Sequence, residues 1–532
     1  MPKRFDLEWW RWQIRSPNCL NNSQITDLII SPIDIHNQKL VANVHPPDWI
    51  NPPPAPIYDL VVIGAGTAGL VTAAGAAGLG AKVALVEKHL MGGDCLNVGC
   101  VPSKCLIAAA RAYAAVARAK EFGIRVPEGT VVDFPLVMER MRQIRANLSR
   151  HDSASRFQGL GVDVFLGEGG FVSREAVTVA GKTLSFKKAV IATGARAAKP
   201  EILGLEAVGY LTNETVFSLT ECPRRLAVIG GGPIGCELAQ AFRHLGAEVV
   251  LFHKNAHILD REDPEAAEIV QQALIGDRIQ LILSAQISQV EWQDGAKIIH
   301  YEANGQTGKI AVDEILVGTG RSPNVTNLNL AAAGVEYDLQ QGVLIDDYLQ
   351  TTNPQIYAAG DVCMAWKFTH AADAAARIVI KNTLFSPFGL GKQKLSSLIM
   401  PWVTYTQPEI AHVGMSAAEA ETQGIAVNTI NIPMSSVDRA IADGETTGFA
   451  KILLKKGTDK ILGATIVSSS AGDLISEITL AMGNNLGLGK IASVIHPYPT
   501  QAEVIKKAAD AYRRTLLTSS SKKFLEVIMK FP

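Results

Sequence analysis

The stretch LVVIGAGTAGLVTAAGAAGLGAKVALVEK, residues 60–88, decides the fold. An aliphatic run passes directly into a glycine-rich turn, a small-residue helix and a second apolar run, which spells a βαβ unit. Gly64, Gly66 and Gly69 form a G-x-G-x-x-G turn, and Glu87 ends the second strand. In such a unit the glycines give a tight turn, let the backbone approach a pyrophosphate at the helix N-terminus and let the helix pack on the strand, while the acid takes ribose hydroxyls. The uncharged run Val61 to Ala81 also meets the length criterion for a membrane span. Its six glycines fit a dinucleotide fold better.

A second copy, LAVIGGGPIGCELAQAFRHLGAEVVLFHK, spans 226–254, with Gly230, Gly232 and Gly235 in the turn. Its second strand ends in His253 and Lys254 instead of an acid. A cation there suits the 2′-phosphate of NADPH, and NADH is the alternative if Lys254 is only a solvated surface lysine. VIATGARA (190–197) and ILVGTGRSPN (315–324) supply closing strands, with Thr193, Gly194 and Gly320 on the cofactor side. Two Rossmann-like dinucleotide-binding domains follow, giving an α/β fold class. The divisions are 57–197 for the first domain with the cysteine motif described below, 198–319 for the second, and 320–398 for the first domain's second part. From 399 to 515 strand-like and helical segments alternate as an α+β domain. Residues 1–56 end in the stiff NPPPAP connector and read as an appendage, and 516–532 as a tail.

With 532 residues, 47% apolar and net charge -1, the chain is long enough for several buried cores and lacks the positive field that nucleic-acid binding requires. Seven scattered cysteines do not make a secreted disulfide framework, and the N-terminus shows no signal-peptide pattern. A reducing, cytoplasmic location is expected.

The most informative short segment is GGDCLNVGCVPSK, residues 92–104. Five residues of regular helix rise about 7.5 Å, beyond the roughly 7 Å Cα separation that a disulfide tolerates. Cys95 and Cys100 can therefore bond only if the backbone breaks between them, and Asn97 and Gly99 supply the break. Pro102 suits the first turn of the following helix, whose dipole would stabilise a thiolate at its start. Cys105, Cys222, Cys236 and Cys363 read as packing residues. Cys19 has no assignable role.

The segment resembles the redox motif of the class I pyridine nucleotide-disulfide oxidoreductases, a family that includes glutathione reductase, dihydrolipoamide dehydrogenase and mercuric reductase. The resemblance covers about residues 57–515. It implies FAD in the first domain, a nicotinamide in the second and a C-terminal dimerisation domain, hence a homodimer. It also implies that Cys95 exchanges with substrate while Cys100 contacts the flavin. Lys104 and Glu237 match the pair beside the flavin, and Asp361 in YAAGD matches the residue that binds the FAD ribityl chain. Pro233 stands where glutathione reductase has its gating tyrosine.

Dithiol members use a histidine and a glutamate five residues later as general acid/base. In HPYPTQAEVIK (496–506) Glu503 matches that glutamate, but Tyr498 stands at the histidine position. A phenol with an ordinary pKa near 10 is a poor base beside an imidazole near 6.5. Mercuric reductases carry tyrosine there too, and the core pattern is nearest to theirs. Cys95 and Cys100 would then hold Hg(II), a soft ion suited to thiolates, as substrate. The metal-delivering C-terminal cysteine pair of that type has no counterpart in RRTLLTSSSKKFLEVIMKFP (513–532), nor has an N-terminal C-x-x-C domain. Alternatives are a disulfide or quinone reductase, with His496 as a substitute base, and a flavin-thiol redox sensor. In the sensor reading residues 1–56 or the basic-apolar tail docks a partner or a membrane surface.

Overall fold

The computed structural model describes residues 32–530; Cys19 lies outside them. The run Val61 to Ala81 resolves into strand, turn and helix. β1 (Tyr58–Ile63) is buried, α2 (Thr67–Gly78) follows the glycine turn, and β2 (Val83–Glu87) returns parallel to β1. A redox segment comes next, made of α3 (Gly93–Asn97) and α4 (Cys100–Arg118), then α5 (Phe134–Leu148) and β3 (Val162–Leu166).

The first sheet runs β3, β2, β1, Lys182–Ile191, Ala176–Val179, Gly169–Ser173. Strand Ile356–Ala358 adds to Lys182–Ile191 in parallel, and helix Thr369–Leu384 packs on α2. The segment after the second dinucleotide unit thus returns to the first sheet. The second unit is a parallel sheet in the order Gln280–Ile282, Glu248–Phe252, Arg225–Ile229, Glu314–Val317. A three-stranded antiparallel sheet over 285–312 accompanies it.

The C-terminal domain is a five-stranded antiparallel sheet with helices Ala471–Gly483 and Glu503–Thr515 packed on it. Buried Val504, Ile505, Ala508 and Ala509 of the second helix join the same core as Ile452, Ala464 and Ile466 of the sheet. The tail forms helix Ser519–Ile528, on which Phe524, Leu525, Val527 and Ile528 are exposed.

The expected appendage over 1–56 needs correction in its described part. α1 (Pro32–Val44) lies against α5, and its Leu40 and Val44 are buried in the first domain's core. Trp49 Nε1 donates to the Val164 carbonyl at 3.1 Å, and Asn51 exchanges bonds of 2.9 and 2.7 Å with Leu166. Residues from 32 onward therefore belong to the first domain. With two buried side chains among those described, α1 shows too little apolar periodicity to be recognised in the sequence.

Candidate active site

The two glycine turns are built alike. A Cβ on Gly69 would lie 1.7 Å from the Gly64 carbonyl oxygen, and one on Gly235 would lie 1.8 Å from that of Gly230, so strand and helix pack only through glycine. The middle glycine of the second turn is different: a Cβ on Gly232 would meet nothing within 4 Å, so internal packing does not demand glycine there. Gly66 and Gly232 cap their helices without a side-chain bond, leaving backbone N–H groups free for an anion. Open space beside the uncapped helix fits a dinucleotide pyrophosphate in the second unit, while in the first the backbone of Gly93 packs against Gly66.

Glu87 is buried, and its carboxylate accepts from Ala65 N–H and His89 N–H, both at 2.7 Å. Burial raises its pKa and the backbone donors oppose that shift. His253 takes the equivalent place in the second unit. Its Nδ1 accepts from Gly231 N–H at 3.1 Å, and its buried Nε2 has no hydrogen-bond partner among the described residues. Lys254 is exposed beside it. The role of His253 as a backbone acceptor is not evident from the sequence, because an imidazole replaces the usual carboxylate.

Thr193 and Gly194 meet the end of the second unit. Thr193 Oγ1 donates to the Asn324 carbonyl at 2.8 Å, Asn324 N–H donates to the Gly194 carbonyl at 2.9 Å, and Ala198 N–H donates to that of Gly320 at 3.0 Å. Asp361 lies 3.3 Å from Arg321 Nε, and Arg321 also pairs with Asp94, the residue before Cys95. Burial raises the Asp361 carboxyl, with the Arg321 cation opposing.

The redox segment breaks where the sequence predicts. α3 carries Cys95 and ends at Asn97, Val98 and Gly99 leave helical geometry, and Cys100 opens α4. A Cβ on Gly99 would lie 2.8 Å from the Asp94 carbonyl oxygen, so only glycine allows this close approach. Cys95 and Cys100 are both free cysteines, placed on either side of the break. The neighbouring Cys95 thiol, followed by Thr369 and the Lys104 cation, pulls the Cys100 thiol down to about 6 against burial. Thr369 Oγ1 lies 3.3 Å from Cys100 Sγ. The Cys95 thiol is pushed up by its interaction with the Cys100 thiol, by burial and by the negative charges of Cys100 and Asp152.

Lys104 Nζ sits 2.8 Å from Glu237 Oε2 and 4.4 Å from the centroid of the Tyr405 ring. Tyr405 N–H donates to the other Glu237 oxygen at 2.9 Å. Glu237 stands on the helix of the second glycine turn, so this pair ties the second unit to the redox helix.

In the C-terminal domain the two motif residues have different partners. Tyr498 is 71% exposed and donates to Asp438 Oδ2 at 2.9 Å, whereas Glu503 pairs with Lys507 at 3.2 Å. The bond to Asp438 raises the phenol pKa above its ordinary value, and the Asp438 charge adds to the effect. His496, the substitute-base candidate, is engaged by Glu477 at 2.9 Å. Thr369, Tyr405 and Asp152, which act on the thiol pair or on Lys104 and Glu237, and Asp438, which holds Tyr498, were missed by the sequence reading, because each comes from a distant segment with no motif of its own. Cys105 and Cys222 pack against the second domain's core, and Cys236 is buried within it. Cys363 packs in the first domain. No group of three or more metal-ligating side chains occurs among the described residues.

This geometry, with two glycine turns feeding one thiol pair, agrees with comparison to known proteins. The chain belongs to the pyridine nucleotide-disulphide oxidoreductase family, whose profile matches residues 58–376 and whose dimerisation-domain profile matches 400–509. It is therefore an FAD-dependent NAD(P)H oxidoreductase. It is 38% identical over 452 residues to mercuric reductase of Staphylococcus aureus, covering 85% of this chain and 82% of that protein. It is 36% identical over 462 residues to dihydrolipoyl dehydrogenase of Chlamydia trachomatis, covering 85% and 96%. Among solved structures it resembles the HOCl-induced flavoprotein disulfide reductase RclA of Escherichia coli, with a TM-score of 0.76 and 26% identity over 85% of this chain and 99% of that one.

Proposed function

We propose that the protein carries electrons from NADPH to a soft metal ion bound as thiolate at Cys95 and Cys100, Hg(II) foremost, and that it works as a homodimer in the cytoplasm. The observation that carries this reading is Tyr498. Its phenol is held by Asp438 with a raised pKa, so at neutral pH it donates a hydrogen bond and does not take up a proton. A disulfide exchanger needs a base at that place, whereas a metal held by two thiolates leaves without one.

FAD, when bound, supplies two-electron transfer between the nicotinamide and the thiol pair. Lys254 beside His253 would receive the 2′-phosphate of NADPH. Cys100, whose pKa is lowered, is the readier ligand, and Cys95 becomes the second as the metal displaces its proton. Lys104, held by Glu237, keeps a positive charge beside the Cys100 thiolate. Tyr498 is exposed on the dimerisation domain, where a second copy's cysteines can meet it.

Asp152 favours a second reading, a disulfide acceptor. Its carboxylate acts electrostatically on Cys95 and forms no hydrogen bond with the described residues, so it offers a local proton acceptor. Anaerobic mixing of NADPH-reduced protein with Hg(II)-thiolate, glutathione disulfide, lipoamide or a quinone separates the readings. Fast reoxidation by Hg(II)-thiolate alone is expected, with a loss of tenfold or more in Tyr498→Phe, about 1.4 kcal/mol in the barrier. Unchanged Hg(II) turnover in that variant removes Tyr498 from the mechanism. Fast reoxidation by a disulfide supports the second reading.

A further inference from the structure

The helix that carries Cys95 is held at both ends by the N-terminal segment. At its start, Met91 N–H donates to the carbonyl of Val44, the last residue of α1, at 3.1 Å. At its end, the Asn97 carbonyl accepts from Arg145 Nη1 at 2.9 Å, and Nη2 of the same guanidinium donates to Asn37 Oδ1 on α1 at 3.1 Å. The Asn97 side chain closes the loop by donating to the carbonyls of Met91 and Gly93 at 3.1 and 2.9 Å.

The last carbonyls of a helix have no partner within it, and a cation there satisfies them and complements the helix dipole. Arg145 does this for Asn97. Its buried Nε has no hydrogen-bond partner among the described residues, so the two Nη bonds set the orientation of the guanidinium. Asn37 supplies one of them. Its own position is fixed because buried Leu40 and Val44 anchor α1, His36 meets Glu139 at 2.7 Å, and Asn43 Nδ2 donates to Ser149 Oγ at 2.8 Å.

The consequence falls on the cysteines. They stand on two helices separated only by Val98 and Gly99, and a disulfide closes only within a narrow range of Cα separation and torsion. Where α3 ends therefore governs how readily the pair closes.

We propose that α1, which precedes the family-matched region 58–376, is a positioning element for the redox pair, with Asn37 and Arg145 as positioning residues that set the dithiol–disulfide balance. The proposal rests on the reading of Cys95 and Cys100 as a redox couple and is independent of the acceptor. A thiolate–flavin absorption band in the NADPH-reduced wild type tests that underlying reading separately.

The test uses the full-length, FAD-loaded protein with Asn37→Ala, Asn37→Asp and Arg145→Lys. Dithiol–disulfide equilibrium is measured in defined thiol redox buffers, together with the alkylation rate of Cys95 in the reduced form, flavin content and thermal midpoint. Asn37→Ala is expected to keep its flavin and to shift the equilibrium constant threefold or more, about 14 mV for this two-electron couple. Asn37→Asp, which keeps an acceptor for the guanidinium, is expected to restore the wild-type value. A change in thermal midpoint with the equilibrium constant and alkylation rate unchanged would overturn the proposal and leave α1 as a stabilising element only. Should Asn37→Ala lose its flavin, Arg145→Lys decides. Its ammonium keeps the charge beside Asn97 but lacks the fork that spans both acceptors, so an unchanged equilibrium constant there also overturns the proposal.

Discussion

At the scale of single residues, the two cysteines differ because their surroundings differ. Both are held up by burial, but Thr369 and the Lys104 cation act to lower the Cys100 thiol, whereas negative charges of Cys100 and Asp152 act to raise Cys95. In the reduced protein, iodoacetamide modification of Cys100 should rise with pH through a midpoint near 6, because the thiolate forms as pH passes the lowered pKa. Lys104→Met removes a cation that favours the thiolate, so the midpoint should move upward; a midpoint that stays in place would remove Lys104 from the electrostatics. Asp152→Asn acts on the other thiol. Removing that negative charge lowers the Cys95 pKa, so alkylation of Cys95 at neutral pH should accelerate, and an unchanged rate would show that the carboxylate does not reach the thiol. The cysteines, Lys104 and Glu237 were legible from their motifs. Asp152, Thr369 and Asp438 were not, because chain folding alone brings each to its place.

At the scale of elements, the break between α3 and α4 was legible from arithmetic alone, since a regular helix cannot bring residues five apart within disulfide reach. The structure adds the reason for Gly99, which is the nearby Asp94 carbonyl. Gly99→Ala should destabilise the protein by about 1–3 kcal/mol, as overpacking does, and slow formation of the Cys95–Cys100 bond. A denaturant series combined with oxidation kinetics measures both, and wild-type values would show that the backbone yields there without difficulty. The N-terminal helix is the opposite case. Its link to the site runs through Asn37 and Arg145, two polar residues more than a hundred positions apart, and no local pattern announces such a contact.

At the scale of the whole molecule, repetition made the fold readable: two glycine turns of the same form fixed two dinucleotide units, and the change of pattern after residue 399 marked the third domain. How the units meet was not readable. Glu262 of the second unit accepts from Trp402 Nε1 of the C-terminal domain at 2.9 and 3.1 Å, and burial lifts its carboxyl from an ordinary 4.5 to about 7. A carboxyl raised in this way contributes stability that is fully present below pH 4.5 and is lost as pH rises through about 7. Glu262→Gln should therefore flatten the decline in thermal midpoint over that window, and a parallel pH profile would show that Glu262 does not titrate across this contact.

The electron path through Cys95 and Cys100 is tested most directly by anaerobic reduction of the FAD-loaded protein with NADPH, followed by addition of Hg(II)-thiolate, in wild type and in Cys100→Ser. Wild type is expected to develop a long-wavelength thiolate–flavin band that Hg(II) rapidly discharges, while Cys100→Ser accepts electrons into the flavin, shows no band and turns over Hg(II) at least a hundredfold more slowly. A wild type without the band, or a Cys100→Ser variant that reduces Hg(II) at the wild-type rate, would contradict the assignment of the thiol pair as the route to the acceptor.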